Sequence, residues 1–213
     1  MRSLHRLSLT AALAFAGLAV STGEAMAQGD DLPPAGFGSL RQDDLALRVR
    51  TPEVEVRFVP LDPRVTRLLA KDGWESLRGL VESRRRIIDS LASTAGVSHP
   101  GLALVTFFGQ QAGARFDPQT LTLEVRSRVF YPLGIVPLSP RFSAQQLGVR
   151  EQAAGIYLYE ESIPVTDDFV ISYNGQDSDN WSGKRGTLDR ERARVSSRAR
   201  SRPADSTGGG GVR

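Results

Sequence analysis

Apolar residues recur at every second position through most of the chain between Leu45 and Tyr173, with one interruption where they recur every third or fourth. A period of two sends alternate side chains to opposite faces of an extended chain, so such segments become half-buried strands. Leu45, Leu47 and Val49 share one face with Arg48 and Arg50 opposite, and Val54, Val56 and Phe58 resume the alternation against Glu55 and Arg57. Pro52 lies between them, has no N–H for a ladder, and marks a turn, a bulge or an edge. Leu102 to Phe108 is a continuous apolar run flanked by glycines, the pattern of a strand buried on both faces. Leu121 to Tyr131 alternates over the longest span in the chain, and Ala154–Tyr159 and Phe169–Tyr173 read as the closing strands. Prolines at 132, 137 and 140 call for an extended connector between these two groups.

The interruption is helical. Asp62-Pro63 places an N-cap acceptor before a residue pre-set for the first helical turn. Asp72 repeats the cap, with Glu75 three positions on as in a capping box. Trp74, Leu77, Leu80, Val81, Ile87, Ile88 and Leu91 then follow helical spacing, which predicts a helix over about 73–92. The whole predicts a mainly β fold: an antiparallel β-sandwich of immunoglobulin-like type with a two-helix insertion at about 62–92. The alternative is an α+β fold with a helix packed on an antiparallel sheet. The cue for the sandwich is the closing strand pair, led by Gly155 and ending at Tyr173, which looks like the end of many exported bacterial sandwich domains.

The ends of the chain divide it further. Arg2, His5 and Arg6 precede an apolar stretch from Leu7 to Val20, and Ala25-Met26-Ala27 supplies small residues at −3 and −1. This is the pattern of a secretory signal peptide over 1–27, too short to span a bilayer. It predicts an exported chain, periplasmic or extracellular, with no transmembrane segment after cleavage. No cysteine occurs in the sequence, so neither a disulfide nor a lipobox is available. Lysine appears only at 71 and 184 beside abundant arginine, a bias of GC-rich bacterial genomes. Residues 28–44, with Asp30-Asp31 and Pro33-Pro34, read as a disordered leader, 45–175 as the β-rich domain, and 176–213 as a disordered basic tail, in which Thr187–Arg200 could form a transient or partner-induced helix with Leu188, Arg192 and Val195 near one face. Gln28 to Trp181 holds sixteen basic against twenty acidic residues, and Ser182 to the end holds nine against three. The high pI belongs to the tail.

Candidate chemistry is sparse. His99 is the only histidine beyond the export segment, too few for a histidine zinc site without cysteine. No nucleophile elbow accompanies it, and it reads as a loop residue. Glu160-Glu161 and Asp167-Asp168 flank one turn and are the carboxylates that a small hydrolase would need. Asn174 to Asn180 is rich in side-chain oxygens, which suits calcium or an Asx/Gly turn. The clearest interaction feature is the tail, where Lys184, Arg185, Arg190, Arg192, Arg194, Arg198, Arg200 and Arg202 offer charge to a polyanionic surface. No aromatic interleaves them after Trp181, which argues against specific nucleic-acid binding by stacking. Nothing in the residues assigns a catalytic group, a metal or a cofactor.

The expectation is therefore a non-catalytic β-rich binding module of a bacterial envelope, taking an unknown protein or envelope polymer. An anion-binding protein acting through its tail is the first alternative, and a small carboxylate-dependent hydrolase the second. Mass spectrometry of protein recovered from its native host should place the N-terminus at or near Gln28; a full-length chain in the cytoplasm would contradict the export reading.

Overall fold

The computed structural model of the chain describes residues 32–201; the segment read as a signal peptide, the start of the leader and Arg202 lie outside them. In chain order the elements are α1 (Gln42–Leu45), β1 (Leu47–Arg50), β2 (Val54–Pro60), α2 (Pro63–Thr66), α3 (Lys71–Thr94) and β3 (Gly101–Gly109). There follow β4 (Ala114–Arg115), β5 (Thr122–Val125), β6 (Arg128–Phe130), β7 (Gly134–Pro137), α4 (Pro140–Ala144) and β8 (Gln146–Leu147). The last are β9 (Gln152–Tyr159), β10 (Val170–Tyr173), β11 (Gln176–Ser178) and α5 (Trp181–Ser201). The fold is mainly β, and every strand pairing is antiparallel.

A five-stranded sheet, ordered β1-β2-β3-β9-β7, faces a four-stranded sheet, ordered β11-β10-β5-β6, and β4 and β8 pair separately. The inner face carries Val49, Val56, Phe58, Val105, Phe107 and Tyr157 from the large sheet, and Leu123, Ile171 and Tyr173 from the small one, all buried. Aromatic rings join the two layers: Phe107 meets Tyr173 edge-on at 5.5 Å between centroids, and Phe58 lies 6.3 Å from Phe169. Edge-to-face geometry sets the positive rim of one ring against the negative face of the other. Gly155 is required beneath this cluster, because a Cβ there would come within 2.9 Å of the Phe142 ring.

Helix α3 covers the outer face of the large sheet at its β7 end, with Leu91 lying directly over Gly134. Leu77, Ile88 and Ala92 are buried, and Trp74, Leu80, Val81 and Leu91 pack beside them. Asp62 caps α2 as the sequence indicates, its Oδ1 accepting the Arg64 N–H at 2.8 Å. The second cap differs from expectation. The helix already begins at Lys71, with Ala70 at the N-cap and no side-chain bond, so Asp72 lies within its first turn.

Two strand readings are corrected. Leu121–Tyr131 is not one long strand but the β5–β6 hairpin, with Val125 paired to Arg128. Its turn residues Arg126 and Ser127 both have positive φ, 49° and 64°, a turn normally made by Gly or Asn. An ion pair of 2.6 Å from Arg126 to Asp167 holds it. The proline-rich connector also contributes a strand, β7, at the edge of the large sheet; its Pro137 has no N–H to offer there, as edge positions tolerate.

The largest correction concerns the two ends read as disordered. Trp181–Ser201 is the helix α5, with Trp181, Leu188, Glu191 and Val195 buried. Trp181, fully buried, packs on Phe169 at 4.9 Å and donates its indole N–H to the Val165 carbonyl at 3.1 Å. The end of the leader is ordered with it. Leu40 forms a parallel bridge with Leu69, and its backbone bonds both Leu68 and Ala70. Gly38 passes so close to the Leu68 carbonyl that no side chain would fit.

Helix α5 and the leader are joined by residues repeating every seven positions. Trp181, Leu188 and Val195 form the apolar row, while Lys184, Glu191 and Arg198 form a polar row beside it. Lys184 Nζ donates to the Asp43 carbonyl, Glu191 accepts from Ser39, and Arg198 donates to the Phe37 carbonyl. The partners descend from 43 to 37 as the helix ascends, so the two segments run antiparallel. Glu191 is 1% exposed; its Oε1 accepts from Ser39 N, Ser39 Oγ and Arg198 Nη1 at 2.8–2.9 Å. Burial opposes its ionisation, but the bonds from Ser39 and Arg198 outweigh that cost and hold the carboxyl below its ordinary 4.5.

A depressed pKa means that this carboxylate stabilises the fold fully above the ordinary value, and that its contribution fades as pH falls through the folded one. Glu191→Gln should therefore cost about 1–3 kcal/mol at neutral pH. In thermal melts followed into acid the wild type should lose this advantage and approach the variant below pH 4.5; parallel curves would contradict the assignment.

Candidate binding cleft

Four loops converge at one end of the sandwich and enclose a cleft of about 680 Å³. Each wall has a local cause. The β1–β2 turn brings Thr51, Pro52 and Glu53, and closes because Thr51 bonds Val54 through both its backbone and its hydroxyl. The short β4–β8 pairing sets Arg115 opposite Gln146. Gln145 ends α4 in a left-handed conformation, φ 52°, and its carbonyl accepts the Phe116 N–H. Asn174-Gly175 forms the two-residue β10–β11 turn, with φ 49° and 73° and Tyr173 paired to Gln176. Positive φ at both positions matches a type I′ hairpin, for which Asn-Gly is the favoured pair.

Two buried phenols hold the floor. Tyr157 donates its hydroxyl to the Pro118 carbonyl at 2.9 Å, and the Tyr173 oxygen accepts the Asp117 N–H at 3.2 Å. Burial above all, with Tyr159, Tyr173 and Asp117 adding, pushes the Tyr157 phenol far above its ordinary range. Tyr173 is raised by the same desolvation. Both hydroxyls therefore keep their protons and act as fixed hydrogen-bonding groups.

The polar side chains divide into those fixed by the fold and those free for a ligand. Glu53 Oε2 accepts the Arg115 N–H at 2.7 Å, and Asp117 Oδ1 accepts the Gln119 N–H at 2.9 Å. Each carboxylate keeps its other oxygen. Asn174 Oδ1 accepts from the Thr120 hydroxyl at 3.0 Å, and its side chain also bonds the Tyr173 phenol, so Asn174 belongs with the fixed groups. The side chains of Gln145, Gln146 and Gln176 line the cleft, are exposed, and have no hydrogen-bond partner among the described residues. Phe116, the one aromatic that lines the cleft, is buried against Phe107 at 4.4 Å and offers no stacking face. The cleft is thus a weakly acidic, hydrogen-bonding surface of amides.

Of the tail residues expected to meet a polyanion, Lys184, Arg185 and Arg198 contact the rest of the fold, and the other described ones do not. Lys184 and Arg198 bond the leader, Arg185 pairs with Asp168 at 3.0 Å, and Arg192 pairs with Asp189 at 2.6 Å. Arg194 lies 3.6 Å from Glu191, Arg190 touches only Thr187 among the described residues, and Arg200 has no described partner. Burial of the polar row lowers the Lys184 pKa, with Asp44 opposing and Arg48 adding to that shift.

Three of the four carboxylates considered for hydrolysis end in surface ion pairs, Arg126–Asp167, Arg128–Glu161 and Arg185–Asp168, and Glu160 stands exposed without one among the described residues. His99 stands on an exposed loop, its Nδ1 3.0 Å from the neighbouring Ser98 hydroxyl. Asn174–Asn180 serves as the β10–β11 hairpin and the entry to α5. Among the described residues no group of three or more His, Cys, Asp or Glu is placed to hold a metal ion, and no helix is long and apolar enough to cross a membrane.

Of the cleft, only the Asn-Gly pair carries a local signature in sequence. The rest comes from four turns brought together by topology. No family model, curated protein or solved structure matches this chain.

Proposed function

We propose that this chain is an exported, non-catalytic binding module of a bacterial envelope, and that the cleft at the end of the sandwich is its recognition surface. The observation that carries this reading is the set of three unpartnered glutamine side chains, Gln145, Gln146 and Gln176, beside carboxylates already anchored by backbone N–H groups. Groups so arranged donate and accept hydrogen bonds without generating a nucleophile. A hydroxyl-rich polymer such as an envelope glycan matches the planar amides and the weakly acidic lining, where Arg115 stands against Glu53 and Asp117. The export segment supports the location.

Soluble oligosaccharide fragments of bacterial cell wall should bind saturably by calorimetry. Gln146→Ala combined with Gln176→Ala should weaken binding about tenfold or more, at roughly 1 kcal/mol for each lost hydrogen bond, with no change in thermal midpoint. Absence of binding, or equal binding by the double variant, would overturn the reading. Turnover of the fragments would favour a hydrolase instead.

A further inference from the structure

The outer face of the large sheet is covered by α3 at one end only. At the other end lies a groove of about 500 Å³ lined by Asp43, Arg48, Glu55, Arg57, Phe108 and the turn around Arg150. Strand register places Arg48 directly opposite Arg57 on the neighbouring strand. Like charges so paired destabilise a sheet, and here Asp43 bridges both. Asp43 Oδ1 lies 3.0 Å from Arg48 Nη2 and 2.8 Å from Arg57 Nη2. That carboxylate comes from the short helix α1, and its side chain is 62% exposed. Arg57 Nε is buried beneath and has no hydrogen-bond partner.

A third guanidinium faces the groove. Arg150 sits in a left-handed conformation, φ 62°, fixed by bonds from its own N–H to Gly109 and from Glu151 N–H to Gly148. It has no carboxylate partner among the described residues. Beside it Val149 is 56% exposed, and Phe108 is half-buried. Glu55 pairs with Arg48 and Arg50 at the same rim, so a doubly charged anion would meet repulsion that a single carboxylate meets less.

We propose that this groove receives a carboxylate side chain, flanked by an apolar residue, from an acidic segment of a partner protein, and that Asp43 is the internal carboxylate it displaces. Arg48, Arg57 and Arg150 supply the charge complement, and Phe108 and Val149 the apolar contact. Asp43 then keeps the arginine pair neutralised until the partner arrives, and lowers the apparent affinity by the fraction of time it occupies the site. The site stands apart from the end cleft and does not depend on the ligand assigned there.

The test is an NMR titration of the full chain with N-acetyl-Asp-Leu-amide, its Asn-Leu counterpart and inorganic phosphate, following arginine Nε–H signals and the Val149 and Arg150 amides. The aspartyl peptide should shift them saturably and the asparaginyl peptide should not. Asp43→Asn should tighten binding about fivefold, the change that about 1 kcal/mol of an exposed ion pair represents. Arg150→Gln, on an exposed turn, should weaken it by a similar factor without lowering the thermal midpoint. No response in either wild type or Asp43→Asn, an equal response to the asparaginyl peptide, a stronger response to phosphate, or no tightening in Asp43→Asn would each overturn the proposal.

Discussion

A carboxylate taken out of water is costly unless several donors meet it, and Glu191 sits where that cost would be felt by the whole domain. Its donors come from opposite ends of the described chain: Ser39 from the leader and Arg198 from α5. If either segment leaves, the charge remains with too few partners, so the two are fixed as a pair. Trp181 adds the apolar half of the same closure, filling the space beside Phe169 and bonding the Val165 carbonyl. The leader in turn runs into α1, whose Asp43 neutralises the arginine pair on the sheet. One buried ion therefore links the ends of the fold to the surface where we place a partner.

The strands with clean alternation and the long amphipathic helix were legible because each signals itself within a few residues. Arg126-Ser127 was not, since the turn lacks the Gly or Asn that left-handed backbone normally demands, and an ion pair to Asp167 compensates. Helix α5 failed for a different reason. Its large apolar residues are only three, spaced seven apart, and each is followed three positions on by a polar one, Lys184, Glu191 or Arg198. A hydropathy reading sees a charged, solvated segment; a heptad reading of 181, 188 and 195 with 184, 191 and 198 would have found the face. The glycines and arginines around that row masked it.

The same distinction separates the two candidate sites. Both are assembled from residues far apart in sequence, so no motif announces them. The end cleft is made by turns, where side-chain amides are held by the sandwich but left unpaired. The groove on the sheet face is made by register, because pairing β1 with β2 sets Arg48 against Arg57. Of the basic residues in α5, Lys184, Arg185 and Arg198 hold the helix to the rest of the fold, while Arg190, Arg192 and Arg194 bond within it. At the arginines of the sheet, where we propose that an acidic partner docks, the fold supplies geometry as well as charge.

Helix α5 belongs to the cooperative domain and is locked to the leader through Glu191. Native-state hydrogen exchange measures this directly, since amides exposed only by global unfolding exchange with the full unfolding free energy. The backbone amides of Leu188, Glu191 and Val195 should be protected to the same level as those of Val105 and Phe107 in the central strand, with the Ser39 amide following them. Exchange of the α5 amides at rates of an unstructured peptide, while the central strand stays protected, would contradict the account.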